Sequence, residues 1–396
     1  KMNILLLAEY YPPMTGGVAT SAHRIAHNLA KLGVDVFVVC FDERVPLESN
    51  DTICISKEDK VTVFRVGPFF IRNKSNSGQI SDKFKALLRL RMLRQIVNLS
   101  SDVRPDLIVS FFVKNMALIG NLVSHELNLP HVICFRGGEL MDNLLGNNDQ
   151  IDLDLIIRSA RGIVCVNEHN RQLLRNFSHT AYQKADVIHN SPASSPLQTY
   201  TNSRREEIRR QLNWDDKDLV LTFIGDLRVR KGVDLMFRGM KRLASNPTIR
   251  FLVIGPSFEE PYIAATYGAC AEKLLAQNKL YITGRINQSN VYEWAIAGDV
   301  IWMPSLDDGI SNGLIEGMAC GLCPVVSKVF SDLIRNGENG IVVDYNEGSL
   351  IKAIELLYKD RLYLKTLGLA AKSTVSQRTP KIEASEFLEV FVKLST

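Results

Sequence analysis

The chain has 396 residues, of which 46% are hydrophobic and 23% charged, with a net charge of +4. These ordinary globular values exclude a disordered chain, and a charge this mild suits an anionic ligand or an anionic membrane surface without pointing to nucleic acid. The length is enough for two or three domains, each able to bury a full core. The seven cysteines, Cys40, Cys54, Cys134, Cys165, Cys270, Cys320 and Cys323, are odd in number and mostly lie in apolar runs. They read as free core thiols in a reducing cytoplasm. Cys320-x-x-Cys323 lacks a second ligand pair and is not read as a metal or redox site. Met2–Ala8 is too short for a signal peptide, and no run reaches the roughly 18 apolar residues of a membrane span.

Strands and helices alternate from the start. Asn3–Ala8 is a continuous apolar run of the kind buried in a parallel sheet. It leads into Tyr10-Tyr11-Pro12-Pro13-Met14-Thr15-Gly16-Gly17, and Val18, Ala22, Ile25, Leu29 and Leu32 then recur at helical spacing until Gly33. Further strands are predicted at Val34–Cys40, Val61–Val66, Leu107–Phe111, His131–Phe135, Gly162–Val166 and Asp186–His189, with helices between most of them. Ser81–Leu99 mixes Lys83, Lys85, Arg89, Arg91 and Arg94 with apolar residues. Its charges do not gather on one face, so a helix packed on the first domain is favoured over an interfacial one. Residues Asn190–Ser203 contain two prolines among small polar residues and read as a linker. The second half repeats the alternation, with strands predicted at Asp218–Gly225, Ile249–Gly255, Leu280–Thr283, Asp299–Met303, Pro324–Ser327 and Ile341–Val343. Asp215, Asp216 and Asp218 are expected in a solvated turn. A last amphipathic helix spans Ile382–Leu394. The fold class is α/β, in two doubly wound halves.

Residues 305–326 carry the strongest chemical signal. The order is strand, glycine-containing turn, helix, strand. Asp308 lies in the loop and Glu316 eight positions on, about one turn into the helix. Ser311 or Asn312 is placed to cap that helix, Gly321 ends it and Pro324 follows. A helix N-terminus fed by such a turn is an anion site, because unpaired N–H groups and the helix dipole both face the ligand. A carboxylate one turn further in can accept hydrogen bonds from a diol such as ribose. The pair suits a sugar nucleotide.

This segment resembles the E-x7-E motif of retaining family 4 glycosyltransferases, E-G-F-G-x-x-x-x-E-A-M-A-x-G-x-P-V-V. Asp308 stands for the first Glu, and Gly309, Glu316, Met318, Ala319, Gly321 and Pro324-Val325-Val326 match, while Ile310 and Ser311 replace Phe and Gly. The resemblance implies a GT-B fold: two Rossmann-like domains facing each other across a cleft, an acceptor-side domain over residues 1–195 and a donor domain over 204–378, with a C-terminal helix, 379–396, crossing back to the first. Gly16-Gly17 resembles the family's glycine pair after the first strand. The segment 224–232 resembles G-R-L-x-x-x-K-G, which aligns Lys231 with the pyrophosphate-binding lysine. It also puts Asp226 where the family has arginine, so Arg228 and Arg230 are the candidate replacements. Gly284-Arg285 resembles the position that holds the nucleotide base. Arg136 stands near where many members carry histidine. It is a candidate for an acceptor anion or the donor phosphate, and Glu139 for an acceptor hydroxyl, with a pair between the two as the alternative. His131 reads as a packed or exposed histidine. Val187-Ile188-His189-Asn190 resembles V-I-P-N-G at the domain junction.

The implied function is retaining, metal-independent transfer of a sugar from a nucleoside diphosphate sugar to a glycan, lipid-linked or small-molecule acceptor, as in polysaccharide or glycoconjugate biosynthesis. Catalysis would fall to Asp308, Lys231 and Arg136. The donor would be held by Gly16, Gly17, Arg228, Arg230, Lys231, Gly284, Arg285, Asp308, Gly309, Ile310, Ser311, Asn312 and Glu316. No cofactor or metal is expected, since lysine, arginine and a helix N-terminus already balance phosphate charge. The place would be the cytoplasm or the inner face of the plasma membrane. A catalytically inactive binding protein on the same fold is the main alternative, because Asp226, Arg136 and Ser311 depart from the pattern. A sugar-nucleotide epimerase fits less well, and no G-x-G-x-x-G follows the first strand for a dinucleotide enzyme.

Overall fold

The computed structural model describes residues 1–14, 16–41, 53–66, 82–111, 115–137, 150–192, 202–256 and 261–395, without the side chains of 82–89, 115 and 150–152. The chain divides into two units, one made of Lys1–His189 with Pro380–Thr396 and the other of Asn190–Thr379. Most of the stretch read as a linker lies outside the described residues.

In the first unit the strands are β1 (Asn3–Ala8), β2 (Asp35–Phe41), β3 (Cys54–Glu58), β4 (Val61–Val66), β5 (Leu107–Phe111), β6 (His131–Phe135), β7 (Gly162–Cys165) and β8 (Ala185–Val187). They form one sheet in the order β3-β4-β2-β1-β5-β6-β7-β8. Every pair is parallel except β3 with β4. The two-residue strand period sorts β1 between two layers. Ile4, Leu6 and Ala8 join the layer under the helices Gly17–Lys31 and Pro380–Ser395. Leu5 and Leu7 join the opposite one, which takes Met92, Ile96 and Leu99 from the helix Asp82–Val103. The described part of that basic helix is therefore packed on the sheet. Strand β3 is not visible as an apolar run: it is a solvated edge, with Ile55 64% exposed, held by antiparallel pairing to β4.

The returning helix docks through Ala384, Phe387 and Phe391. Beside them lies Glu383, fully buried. Nε and Nη2 of Arg24 donate to its two oxygens at 2.9 and 3.2 Å, and Nη2 of Arg136 donates to Oε1 at 3.2 Å. Nη1 of Arg136 also donates to the carbonyl of Ile188. Its guanidinium lies 5.2 Å from the Phe111 ring centroid and 5.4 Å from that of Phe387, close enough for the ring quadrupoles to help hold the charge. One carboxylate thus serves two buried cations contributed from distant parts of the sequence.

In the second unit β9 (Leu219–Ile224), β10 (Ile249–Ile254), β11 (Leu280–Ile282), β12 (Val300–Met303), β13 (Cys323–Ser327) and β14 (Ile341–Val343) are all parallel, in the order β11-β10-β9-β12-β13-β14. Trp302 is buried and stacks on Phe251 with centroids 5.9 Å apart. Asp218 is not in a solvated turn: it is buried and accepts from Nε of Arg250 at 3.0 Å and from the backbone of Asp215. No described helix is long and apolar enough to cross a membrane.

Removing one member of a buried ion group leaves the others desolvated and uncompensated, at a cost of about 3–5 kcal/mol. Glu383→Ala is expected to lower the stability of the first unit by that amount in denaturant titration. An unchanged midpoint would show that Arg24 and Arg136 reach water without it.

Candidate functional site

The strand order of the second unit reverses between β9 and β12, because the chain runs outward from β9 through β10 to β11 and then returns to start again at β12. In open α/β sheets the loops leaving the carboxyl ends of two such strands diverge to opposite faces and leave a crevice, where ligands bind. The two loops at this point are 225–232 and 304–311.

They are braced against each other. After Gly225 the chain passes through one 3-10 turn, Val229–Lys231, and begins the helix Val233–Leu243 at Gly232. Gly232 has φ of +73°, and a Cβ there would lie 1.8 Å from the carbonyl oxygen of Pro304. The carbonyl of Arg230 accepts from the N–H groups of Leu306 and Asp307 at 2.8 and 3.3 Å. Nη1 of Arg230 donates back to the Asp307 carbonyl at 3.3 Å and to Oδ1 of Asp308 at 3.0 Å. Asp308 is buried, and its Oδ1 also accepts from the N–H of Gly309. The sequence motif thus folds into a loop whose acid is already engaged.

The helix Asn312–Ala319 starts directly above the end of β9. A Cβ on Gly313 would lie 2.4 Å from the carbonyl oxygen of Ile224, so only glycine lets the first turn sit this close. Ser311 is the N-cap residue, in an extended conformation, but its side chain makes no capping bond, contrary to the expectation from its residue type. The first backbone bond of the turn joins Ile315 N–H to Ser311 O, so the amides of 312–314 precede the ladder and point out of the helix start. Nδ2 of Asn190 fixes the loop by donating to the Ile310 carbonyl at 2.7 Å. Glu316 is buried, and the amide of Gln288, the first residue of the helix Gln288–Ala295, donates to its Oε1. Nothing in the local sequence around Gln288 signals that pairing.

Lys231 points to the same place. Its Nζ lies 2.7 Å from where a Cβ on Gly225 would stand, so the ammonium rests on the end of β9 beside the helix start. Among the described residues its side chain has no hydrogen-bond or ion-pair partner. Loss of hydration is the largest influence on it and holds its pKa below the ordinary lysine value of 10.5, while Asp308 acts in the opposite direction. The other cations of the loop are matched with acids: Arg230 with Asp308, and Arg228 with Asp226 at 3.3 Å on the surface. Gly284 (φ +73°) and Arg285 follow β11, where Oγ1 of Thr283 accepts from the N–H of Gly255. The ends of β9, β10 and β11 therefore form one shelf.

The remaining sequence candidates belong to the first unit. Gly16 and Gly17 are exposed at the start of the helix Gly17–Lys31, with open space where a Cβ on Gly16 would be. Glu139 lies outside the described residues. Arg136 leaves the end of β6 but is buried against Glu383, a partner the sequence does not suggest. His131 is buried, with Nε2 2.8 Å from the Ser110 hydroxyl, and burial pushes it down to about 3, so it is a neutral packing residue. Burial pushes the thiols of Cys320 and Cys323 up to about 12.

Residues 15–191 match the family model for Glycosyltransferase Family 4, and residues 204–374 match that for Glycosyl transferases group 1. The chain belongs to the family 4 glycosyltransferases. An uncharacterized glycosyltransferase of Methanocaldococcus jannaschii is 21% identical to this glycosyltransferase, over 95% of this chain and 94% of its own. Sucrose-phosphate synthase from Thermosynechococcus elongatus superposes with a TM-score of 0.78 at 16% identity, covering 100% of this chain and 99% of that one. Anabaena HepE, solved in complex with UDP and glucose, gives 0.76 at 18% identity, covering 99% and 100%. Both likenesses identify the fold as GT-B.

Gly232→Ala forces a side chain into the Pro304 carbonyl at a backbone angle that disfavours it. The transferase is expected to lose about 2 kcal/mol or more of second-unit stability, read by denaturant titration, and unaltered unfolding would show that the two loops can separate without cost.

Proposed function

We propose that this glycosyltransferase moves a sugar from a nucleoside diphosphate sugar to an acceptor hydroxyl with retention at the anomeric carbon and without a metal ion. The observation that carries the reading is the ammonium of Lys231, without a hydrogen-bond or ion-pair partner among the described residues, beside the first turn of Asn312–Ala319 at the switch point of the second-unit sheet. A donor pyrophosphate placed there meets a full positive charge and a helix N-terminus together. Negative charge grows on the leaving phosphate as the sugar bond breaks, and fixed positive groups lower that barrier most when they are desolvated beforehand. The solved complexes of HepE with UDP and with UDP-glucose support a donor of this class.

The other residues then take definite parts. Ribose hydroxyls replace the Gln288 amide on Glu316. Arg230 turns from Asp308 to the pyrophosphate, and Asp308, freed of it, accepts hydrogen bonds from the sugar. Arg228 lies in the same loop for the outer phosphate, and the shelf at Gly284 and Arg285 takes the base. Arg136 holds the returning helix through Glu383 and Phe387. The acceptor class is a glycan, a lipid-linked intermediate or a small molecule.

Lys231→Ala is expected to reduce kcat by about 10²–10³-fold, the usual loss for one group aimed at developing charge, with unchanged circular dichroism. Its ionisation adds a second readout. The ammonium is needed charged, and its depressed pKa means that the free enzyme loses the charge at lower pH than an ordinary lysine would. The alkaline limb of kcat/KM is therefore expected below 10.5, and that of kcat higher, since bound pyrophosphate favours the charged form. Lys231→Arg should remove the limb. A profile that is the same in wild type and Lys231→Arg would assign the limb elsewhere and sink this role. Glu316→Ala is expected to weaken donor binding at least tenfold by calorimetry, and unchanged affinity would refute the ribose contact.

A further inference from the structure

Within the first unit, the helix Gly17–Lys31 meets the β3–β4 hairpin in a polar cluster of two histidines and a glutamate. His23 and His27 are four residues apart and so share a helix face, with their rings stacked at a centroid distance of 4.0 Å. Glu58 ends β3. One ring nitrogen of each histidine and one oxygen of Glu58 all lie within 4.8 Å of one another.

The cluster is built but unsatisfied. The His27 side chain is nine-tenths buried, with 10% of its surface exposed. Its Nε2 has no hydrogen-bond partner among the described residues, and neither does the buried hydroxyl of Tyr11, whose ring centroid is 5.6 Å from that of His23. Buried polar atoms are normally paired, so an orphaned imidazole nitrogen in a cluster of ligand-type side chains indicates a missing component. Arg65 and Ser56 both donate to Oε1 of Glu58, at 2.7 and 3.3 Å, which fixes the carboxylate and leaves Oε2 to another ligand. Asp59 places Oδ2 3.5 Å from Nδ1 of His27.

We propose that His23, His27 and Glu58 bind a zinc ion that stitches the helix Gly17–Lys31 to the β3–β4 hairpin. Two imidazoles and one carboxylate are a borderline-soft donor set, which suits zinc and is wrong for magnesium or calcium. Three protein ligands leave the fourth tetrahedral position to water. Zinc bonds of about 2.0–2.1 Å place ligand atoms roughly 3.4 Å apart, so the cluster closes around the ion by small rotations of His23 and Glu58. The benefit falls on β3, which is a solvated edge with little apolar packing of its own. This site lies in the first unit.

The full chain, stripped with a chelator and dialysed, would be titrated with zinc chloride by calorimetry, and its cobalt(II) form examined by absorption. The expected result is one ion per chain, a rise in melting temperature with zinc, and a cobalt spectrum without thiolate charge-transfer bands. Glu58→Gln and His23→Gln should each weaken zinc binding at least tenfold, with unaltered far-ultraviolet circular dichroism. The His23→Gln variant decides the matter should His27→Ala fail to fold. Absence of saturable zinc binding would overturn the proposal. So would binding that survives both glutamine variants, or a thiolate band that traces the ion to cysteine.

Discussion

The arrangement depends on one topological constraint: the second-unit sheet changes direction between β9 and β12. Two adjacent parallel strands whose exits diverge must leave a gap at their carboxyl ends, and everything polar in the site is placed by that gap. Glycine makes the gap usable. Gly232 lets one loop lie against the Pro304 carbonyl, and Gly313 lets a helix start on the end of β9. The acid of one loop and the arginine of the other then cross-brace the structure. The two walls of the site are also joined through their backbones, at the Arg230 carbonyl.

Charge is distributed with equal economy. Arg228 and Arg230 each meet a carboxylate, whereas Lys231 is held in partial dehydration without an ion-pair partner among the described residues. A cation kept this way is poorly solvated before the ligand arrives, so a pyrophosphate gains more from it than from a surface lysine. The departure from the family pattern at Asp226 acquires a physical reading. The acid pairs with Arg228 of the same loop, at 3.3 Å on the surface.

Much of this was legible in the sequence because it is local. Continuous apolar runs marked the buried strands to within about a residue, except β8, whose predicted end at His189 lies two residues beyond the observed Val187, and the 305–326 segment declared a turn, a helix start and two acids at fixed spacing. What was illegible joins residues far apart. Glu383 looks like a solvated position on an amphipathic tail, yet it is the counter-ion of Arg24 and Arg136, and no local period reveals that. The same reason applies to Gln288 on Glu316 and to Arg250 on Asp218. Strand β3 was missed because its pattern is polar on both faces, as an edge permits. The helix start shows the opposite failure: Ser311 has the residue type of a cap but makes no capping bond.

The central claim is that these loops bind a nucleoside diphosphate sugar without a metal. The most direct measurement is the melting temperature of the purified protein against UDP-, GDP-, ADP-, CMP- and dTDP-sugars, each with and without EDTA and referred to a ligand-free control in the same buffer. A ligand that binds only the folded chain must raise it. The account predicts a rise with one nucleotide series, of the same size in EDTA. No rise with any donor, or a rise that EDTA abolishes, would contradict it.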